Sequence, residues 1–391
     1  MKYFILLSLI LISCDLRKRN TELTAFHQSN EKITFVKLDS IKIDYLGNPT
    51  VHDIDPISKR ILFMEHKETS QIISMADFDG SILTSFSKWG DVPDSYGNLI
   101  APLKFHGSNS FLAYGSKGYL TYNFEGKLQH LVKHSESPNQ GFSRIGFGLG
   151  LEETEDLYLY FNPSSQTISN SESRFYEKHC PLILLNPKTG DNEPIISFPE
   201  TSIFRNGKYF FSSAWEPSYT VSDNLIYVVF GVEPTIYLFQ NTKPHSLVSK
   251  ILLDLPDYRY YKGSDTYSDD VRFFGHSKTS GKIRNINKLD KYFIIAYFPG
   301  YERLDIEEAF ISKSPEEARL FWDRMREKYP HRIAIFDTNG DRLNDFEPKG
   351  LIASSMVLRS GELWMMEKPN EEIEQDYFRL FRVGLKVEHK N

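Results

Sequence analysis

Ile72-Ile73-Ser74-Met75-Ala76-Asp77-Phe78-Asp79-Gly80-Ser81-Ile82-Leu83-Thr84-Ser85-Phe86 reads as two β-prone strands joined by an Asp-Gly turn. Glycine beside an acidic or amide residue supplies the positive φ that a tight hairpin requires. The unit recurs along the chain. Tyr119 to Phe124 and Lys127 to Val132 flank Glu125-Gly126; Leu182 to Leu185 and Pro194 to Phe198 flank Asn186 to Gly190. Arg332 to Phe336 and Asp341 to Phe346 flank Asp337 to Gly340, and Phe378 to Val383 and Leu385 to Glu388 flank Gly384. One further copy, Thr235 to Phe239 and Ser246 to Leu253, is joined by Gln240 to His245 without glycine.

Upstream of each hairpin stands another β-prone strand: Ile61 to Met64, Phe111 to Tyr114, Leu157 to Phe161, Leu225 to Phe230, Tyr292 to Phe298 and Glu362 to Met366. An innermost strand precedes each of these, at Pro49 to Ile54, Pro102 to His106, Phe142 to Phe147, Ser218 to Ser222, Lys282 to Asn287 and Ile352 to Leu358. Units of four short strands repeated six times predict an all-β chain folded as a six-bladed β-propeller over residues 32–391. Paired β-sandwiches would satisfy the alternation but not its repetition over the whole chain. Ile33 to Leu38 is a spare strand, expected to pair with the last blade and close the ring.

One segment breaks the β pattern. Ser314 as N-cap, Pro315 in the first turn and Glu317 reaching back predict a helix over about 314–329. Ala318, Phe321, Trp322, Met325 and Tyr329 form its apolar stripe, which predicts a lid packed on the ring.

Composition agrees with a β protein. The 391 residues include 29 Phe, 22 Tyr and 4 Trp but only ten Ala, a balance that suits pleated surfaces. With 40% hydrophobic and 25% charged residues, disorder and a polytopic membrane protein are excluded. Net charge is -6, so nothing recommends a nucleic-acid partner.

The first residues read as an address. Lys2, the apolar run Tyr3 to Leu11 and Leu11-Ile12-Ser13-Cys14 form a bacterial lipoprotein signal over 1–13, with cleavage before Cys14 and acylation of its thiol. The apolar run is well short of the roughly 20 residues that span a bilayer. Two or more acyl chains on Cys14 would anchor the protein to a membrane of the cell envelope, the outer one being expected, and residues 14–31 would form a tether. Cys180 is then the other cysteine, which excludes an internal disulfide framework; its expected role is a buried small hydrophobe. The chain is expected to be a monomer.

In four-stranded blades, the turns between second and third strands open on the same face as the links between blades. Trp89 to Leu99, Asn162 to Lys178, Pro256 to Gly281 and Pro299 to Tyr329 all fall there, so binding is expected on that face. Asp257-Tyr258-Arg259-Tyr260-Tyr261-Lys262 offers aromatic faces beside charges, a mix suited to sugar or peptide recognition, although the same tyrosines would also serve to pack the loop on the ring. The candidate ligand residues are Tyr258, Arg259, Tyr260 and Tyr261, with Trp89, Asp91 and Tyr96 carrying the same two readings.

Templates for zinc proteases, phosphate loops and nucleophile elbows are missing from the sequence. Gly146 to Gly150 lacks dinucleotide spacing, and Asp337 to Asp341 lacks the spacing of a calcium loop. No metal site and no cofactor is expected, and no catalytic residue is assigned. His52 and His106 are placed near the channel, where an envelope hydrolase or lyase would need them.

The lipobox cysteine, the degenerate Asp/Asn-Gly hairpins and Phe86-Ser87-Lys88-Trp89-Gly90-Asp91-Val92-Pro93-Asp94-Ser95-Tyr96-Gly97 together resemble a family of uncharacterised bacterial six-bladed propeller lipoproteins. Gly115 to Gly118 before Tyr122 to Gly126 is similar as well, and a looser likeness runs to propellers with NHL-type repeats. The resemblance implies a scaffold over about Ile41 to Glu388 and carries no catalytic group with it. The expected function is a membrane-anchored binding module for a glycan, a peptide or an envelope protein; an envelope enzyme is the alternative.

Overall fold

The computed structural model describes residues 31–389 apart from 68–69, 137–144, 149, 164–167, 173, 269, 371–372 and 374. The expected lipoprotein signal, Cys14 and most of the expected tether lie outside the described residues. In chain order, β1 (Glu31–Asp44) is followed by β2 (Thr50–Asp55), β3 (Arg60–Lys67), β4 (Ser70–Asp77) and β5 (Ile82–Phe86), which make blade one. Blade two is β6 (Lys104–Phe105), β7 (Ser110–Gly115), β8 (Gly118–Asn123) and β9 (Leu128–Val132). Blade three is β10 (Glu152–Thr154), β11 (Leu157–Phe161), β12 (Leu182–Leu185) and β13 (Asn192–Ile196), with α1 (Phe175–Lys178) before β12. Blade four is β14 (Pro217–Ser222), β15 (Leu225–Phe230), β16 (Thr235–Gln240) and β17 (Leu247–Leu252). After α2 (Val271–Thr279), blade five is β18 (Lys282–Leu289), β19 (Tyr292–Phe298), β20 (Arg332–Asp337) and β21 (Arg342–Phe346), with α3 (Arg303–Ala309) and α4 (Pro315–Lys328) inserted between β19 and β20. Blade six is β22 (Val357–Arg359), β23 (Glu362–Met366) and β24 (Tyr377–His389), and β1 is its outer strand.

The ring therefore closes through its two ends. β1 runs antiparallel to β24 from Glu31↔His389 to Asp44↔Tyr377, so the first strand completes the last blade. Several details differ from the sequence reading: α1, α2 and α3 have no counterpart in it, and the innermost strand of blade six is Val357–Arg359, with Ala353–Ser355 in a 3-10 turn, and not Ile352 to Leu358. Gly384 makes no hairpin: β24 continues through it, paired with Val36, because β1 already fills the outer position that Leu385 to Glu388 would have taken. The innermost strand of blade three is Glu152–Thr154 and not Phe142 to Phe147. Of that segment, residues 142–144 lie outside the described residues, and Gly146 and Phe147 are in a bend and a turn. At Gly148, with φ +88°, a Cβ would meet Asn285 and the carbonyls of Ser354 and Met356, so the chain here crosses the channel against blades five and six.

The hairpin without glycine in blade four turns through His245 at φ 56°, a left-handed position that a side chain occupies at some cost. Between blades, apolar faces pack into buried clusters. The largest joins blades two, three and four around Tyr176, Phe198, Phe204, Phe210 and Trp215.

The predicted helix is α4, with both halves of the capping box in place: Ser314 Oγ accepts from the Glu317 amide, and Glu317 accepts from the Ser314 amide at 2.8 Å. Phe321, Met325 and Tyr329 are buried against Phe298 and Tyr301, which makes the insertion a cover over the end of blade five. Replacing Ser314 by Ala is expected to cost about 1 kcal/mol. The loss should be confined to faster amide exchange in the first turn of α4; exchange unchanged there would show that the cap contributes nothing.

Candidate functional site

The connections divide sharply by face. On one face the turns are 56–59, 78–81, 106–109, 124–127, 155–156, 186–191, 223–224, 241–246, 290–291, 338–341 and 360–361, none longer than six residues. On the other lie the short connections 45–49, 116–117 and 231–234 and the longer ones 87–103, 133–151, 162–181, 197–216, 253–281, 299–331, 347–356 and 367–376. Among the described residues, the second face holds the four α-helices and a large recess.

The channel itself is plugged. Asp53 on β2 accepts from Arg359 Nε on β22 at 2.9 Å and from the Phe105 amide at 3.0 Å, and lies 3.4 Å from Lys104 Nζ on β6. Arg359 also reaches Glu152 on β10 at 3.4 Å. One buried junction thus ties blades one, two, three and six. Burial would raise the Asp53 carboxyl, but Arg359 and Lys104 outweigh it and hold it below its ordinary value. On the far side, Asn285 Nδ2 donates to the carbonyls of Gly148, Ser354 and Met356. Among the described residues, a void of ≈ 20 Å³, space for one water, lies between Glu152 and Asn285. His52, 2% exposed, accepts from the Leu103 amide through Nδ1 at 2.9 Å, and His106 Nδ1 lies 2.6 Å from the Tyr158 hydroxyl. Among the described residues, no group of three His, Cys, Asp or Glu could hold a metal ion.

The recess, of ≈ 980 Å³, opens between blades five and six. Four segments wall it: the end of β19 with Tyr301, the inner face of α4 through Tyr329 to His331, the link 347–354, and residues 368–370 after β23. Pro330 stops α4 and so sets His331 at the recess before β20 resumes the blade. Arg284 reaches it from the innermost strand β18, where the register slips between Ile283 and Asn285. Such a bulge re-aims the side chain of the extra residue. His331 faces the solvent of the recess yet is ringed by protein. These walls, followed by the nearby positive charges of Arg284 and Lys368, hold its imidazole below the usual histidine value.

The stretch Tyr258 to Tyr261 lies on the same face, on the link into blade five, and is firmly anchored. Arg259 donates its amide to Pro299 O and accepts from the Gly281 amide, both at 2.7 Å. Gly300, φ +85°, permits this crossing, since a Cβ there would lie 2.1 Å from Arg259 O. The Tyr258 hydroxyl donates to Val232 O at 2.9 Å, and its burial raises it well above the usual tyrosine value. Tyr260 packs 5.4 Å from Tyr258, while Tyr261 stacks on His276 at 4.4 Å. Arg259 pairs with Asp257 and Glu302. Both tyrosines are half-buried.

Trp89, Asp91 and Tyr96 stand on the link between blades one and two, across the ring from the link between blades four and five, so the two groups do not form one site. Tyr96 is fully buried and donates to Gln71 Oε1 at 2.8 Å; Trp89 is 36% exposed and Asp91 is exposed. Arg284, His331 and Lys368 carry no motif and come from three elements far apart in sequence, and only the bulge and the ring bring them together. The one available signal was their common membership of links and strand ends on the long-loop face.

By sequence, the chain matches no family model and no curated protein. By structure, it is similar to a member of the DUF4221 family from Bacteroides vulgatus, with TM-score 0.61 at 10% identity over 92% of this chain and 99% of that one. It is also similar to a Bacteroides fragilis protein described as exported, with TM-score 0.48 at 10% identity over 93% and 97% of the two chains. The resemblance to an uncharacterised bacterial propeller family thus holds for the fold, and identity this low speaks for the fold alone.

Proposed function

We propose that this protein is a lipid-anchored binding propeller whose ligand enters on the long-loop face, at the recess between blades five and six. The observation that supports this reading is the asymmetry of the ring. Short turns close one face, while the other carries the long links and the ≈ 980 Å³ recess, in the range of ordinary ligand pockets. The plugged channel favours recognition on that face over passage or chemistry along the axis. Tyr260 and Tyr261, with Arg259, border the same side of blade five and would extend the surface for a glycan or peptide, while Tyr258 anchors the loop beneath them.

Topology gives the anchor a direction. β1 replaces an outer strand that in the other five blades starts from a turn on the short-turn face, so Glu31 joins the ring from that side. An acylated Cys14 would then hold the short-turn face toward the membrane and leave the recess facing away from it. A body in the periplasm or at the cell surface would present its ligand site outward from the bilayer.

Two measurements test this. Mass spectrometry of the protein from its membrane fraction should find Cys14 acylated, and Cys14→Ser should move it to the aqueous fraction; retention on the membrane would refute the anchor. Glycan-array and peptide-pool binding should fall at least about tenfold in Ser354→Trp, which places an indole in the recess. Binding that survives there but drops in the Tyr260→Ala, Tyr261→Ala double variant would move the site to the neighbouring loop.

A further inference from the structure

Resting on the binding role proposed above, we infer that the recess between blades five and six takes a small organic ligand with a single carboxylate, gripped by Arg284 and Lys368, its apolar body lying along Leu351 and Ile352. Arg284 lines both the recess and the small channel void, so it stands where the plugged axis meets the open face. It comes from the innermost strand and is half-buried, which fixes a planar cation at the inner end of the recess. Lys368 approaches from the link after β23, on the opposite wall. A guanidinium offers two parallel donors that match a carboxylate, and a mobile ammonium can close on the same charge from the other side.

The remaining charges select for a monoanion. His331, lying near both cations, is neutral at ordinary pH and can give or accept a hydrogen bond without adding charge. Asp323 is already engaged by Arg319 and Arg326. Arg326 and Lys278, the latter over the Trp322 ring, also line the recess, so its described lining carries four cations against the carboxylates of Asp323, Glu327 and Glu347, one positive charge in excess. Glu327 and Glu347 line the recess and are exposed, so a second negative charge on the ligand would meet carboxylates. A phosphate ester or a polyanion is therefore disfavoured, and the chain's net charge of -6 points the same way. Buried Leu351 and half-buried Ile352 supply an apolar wall beside the cations, so the carboxylate would be carried on an apolar body.

Calorimetry on the full chain in a neutral detergent can decide this, with hippurate against its uncharged amide and inorganic phosphate as a third arm. Hippurate is expected to bind at least about tenfold more tightly than the amide, and Lys368→Gln or Arg284→Gln should abolish that preference. Lys368 is exposed, so its variant keeps the test informative if Arg284→Gln unfolds. Equal binding of hippurate and amide, both lost in Ser354→Trp, would overturn the carboxylate assignment and leave the binding role standing. Phosphate binding more tightly than hippurate would overturn it, as would no heat from hippurate up to roughly 10 mM. The glycan and peptide screens judge the binding role independently of all three results.

Discussion

Replacing Asp53 by Ala is expected to destabilise the protein by about 3–5 kcal/mol, the usual cost of removing one partner from a buried ion pair. Asp53 is 1% exposed and is the carboxylate at which Arg359 from blade six and Lys104 from blade two converge. Without it, two cations remain close together inside the ring, and burial together with Arg359 already pushes Lys104 toward its neutral form. The Phe105 amide also loses its acceptor. Asp53→Asn keeps the shape and can keep that hydrogen bond, so it should recover part of the loss but not the charge.

The same junction sets a pH dependence. The folded Asp53 carboxyl lies below its unfolded value of about 3.9, so its contribution is complete above that pH and is lost as the pH falls through the lower, folded value. Urea unfolding of the parent should weaken as the solution is acidified below about pH 4, with a smaller slope in Asp53→Asn. A loss under about 1 kcal/mol for Asp53→Ala would show that the plug is incidental to the ring.

Removal of β1 should have the second large effect. A chain beginning at Gly47 lacks Ile33, Ile41 and Ile43, all buried, each of which contributes roughly 1.5–3 kcal/mol by leaving water. It also strips β24 of its partner along its whole length, exposing a long edge that invites aggregation. Blades five and six lose a direct tie, because Asn344 Nδ2 donates to Ile33 O at 2.6 Å and Phe346 packs edge-on against Phe35. The shortened chain is expected to lose cooperative unfolding and to aggregate, and a peptide of residues 31–44 should restore it by adding the missing strand. A chain beginning at Glu31 should unfold like the parent. Cooperative unfolding without β1 would mean that the ring does not depend on this closure.

Much of the fold was legible because its signals are local. Alternation, Asp-Gly turns such as Asp79-Gly80, and the capping box at Ser314 and Glu317 each act within a few residues, and six repeats of one unit leave few ways to bury all their faces. The misreadings arose where a distant strand or blade decided. Gly384 looks like a turn until β1 is known to lie beside it. Gly146 to Gly148 looks like strand or loop until Asn285, Ser354 and Met356 are found packed on Gly148.

The sequence by itself determined the repeat number, helix α4 and which face would carry the long links, since these follow from periodicity and chain connectivity. Only the tertiary structure decided that Asp53, Lys104, Glu152 and Arg359 meet inside the ring, and that Arg284, His331 and Lys368 share one recess. The physical reason is ring closure: it brings together residues as far apart in the chain as Asp53 and Arg359, and the field each feels is set by neighbours that no local pattern records.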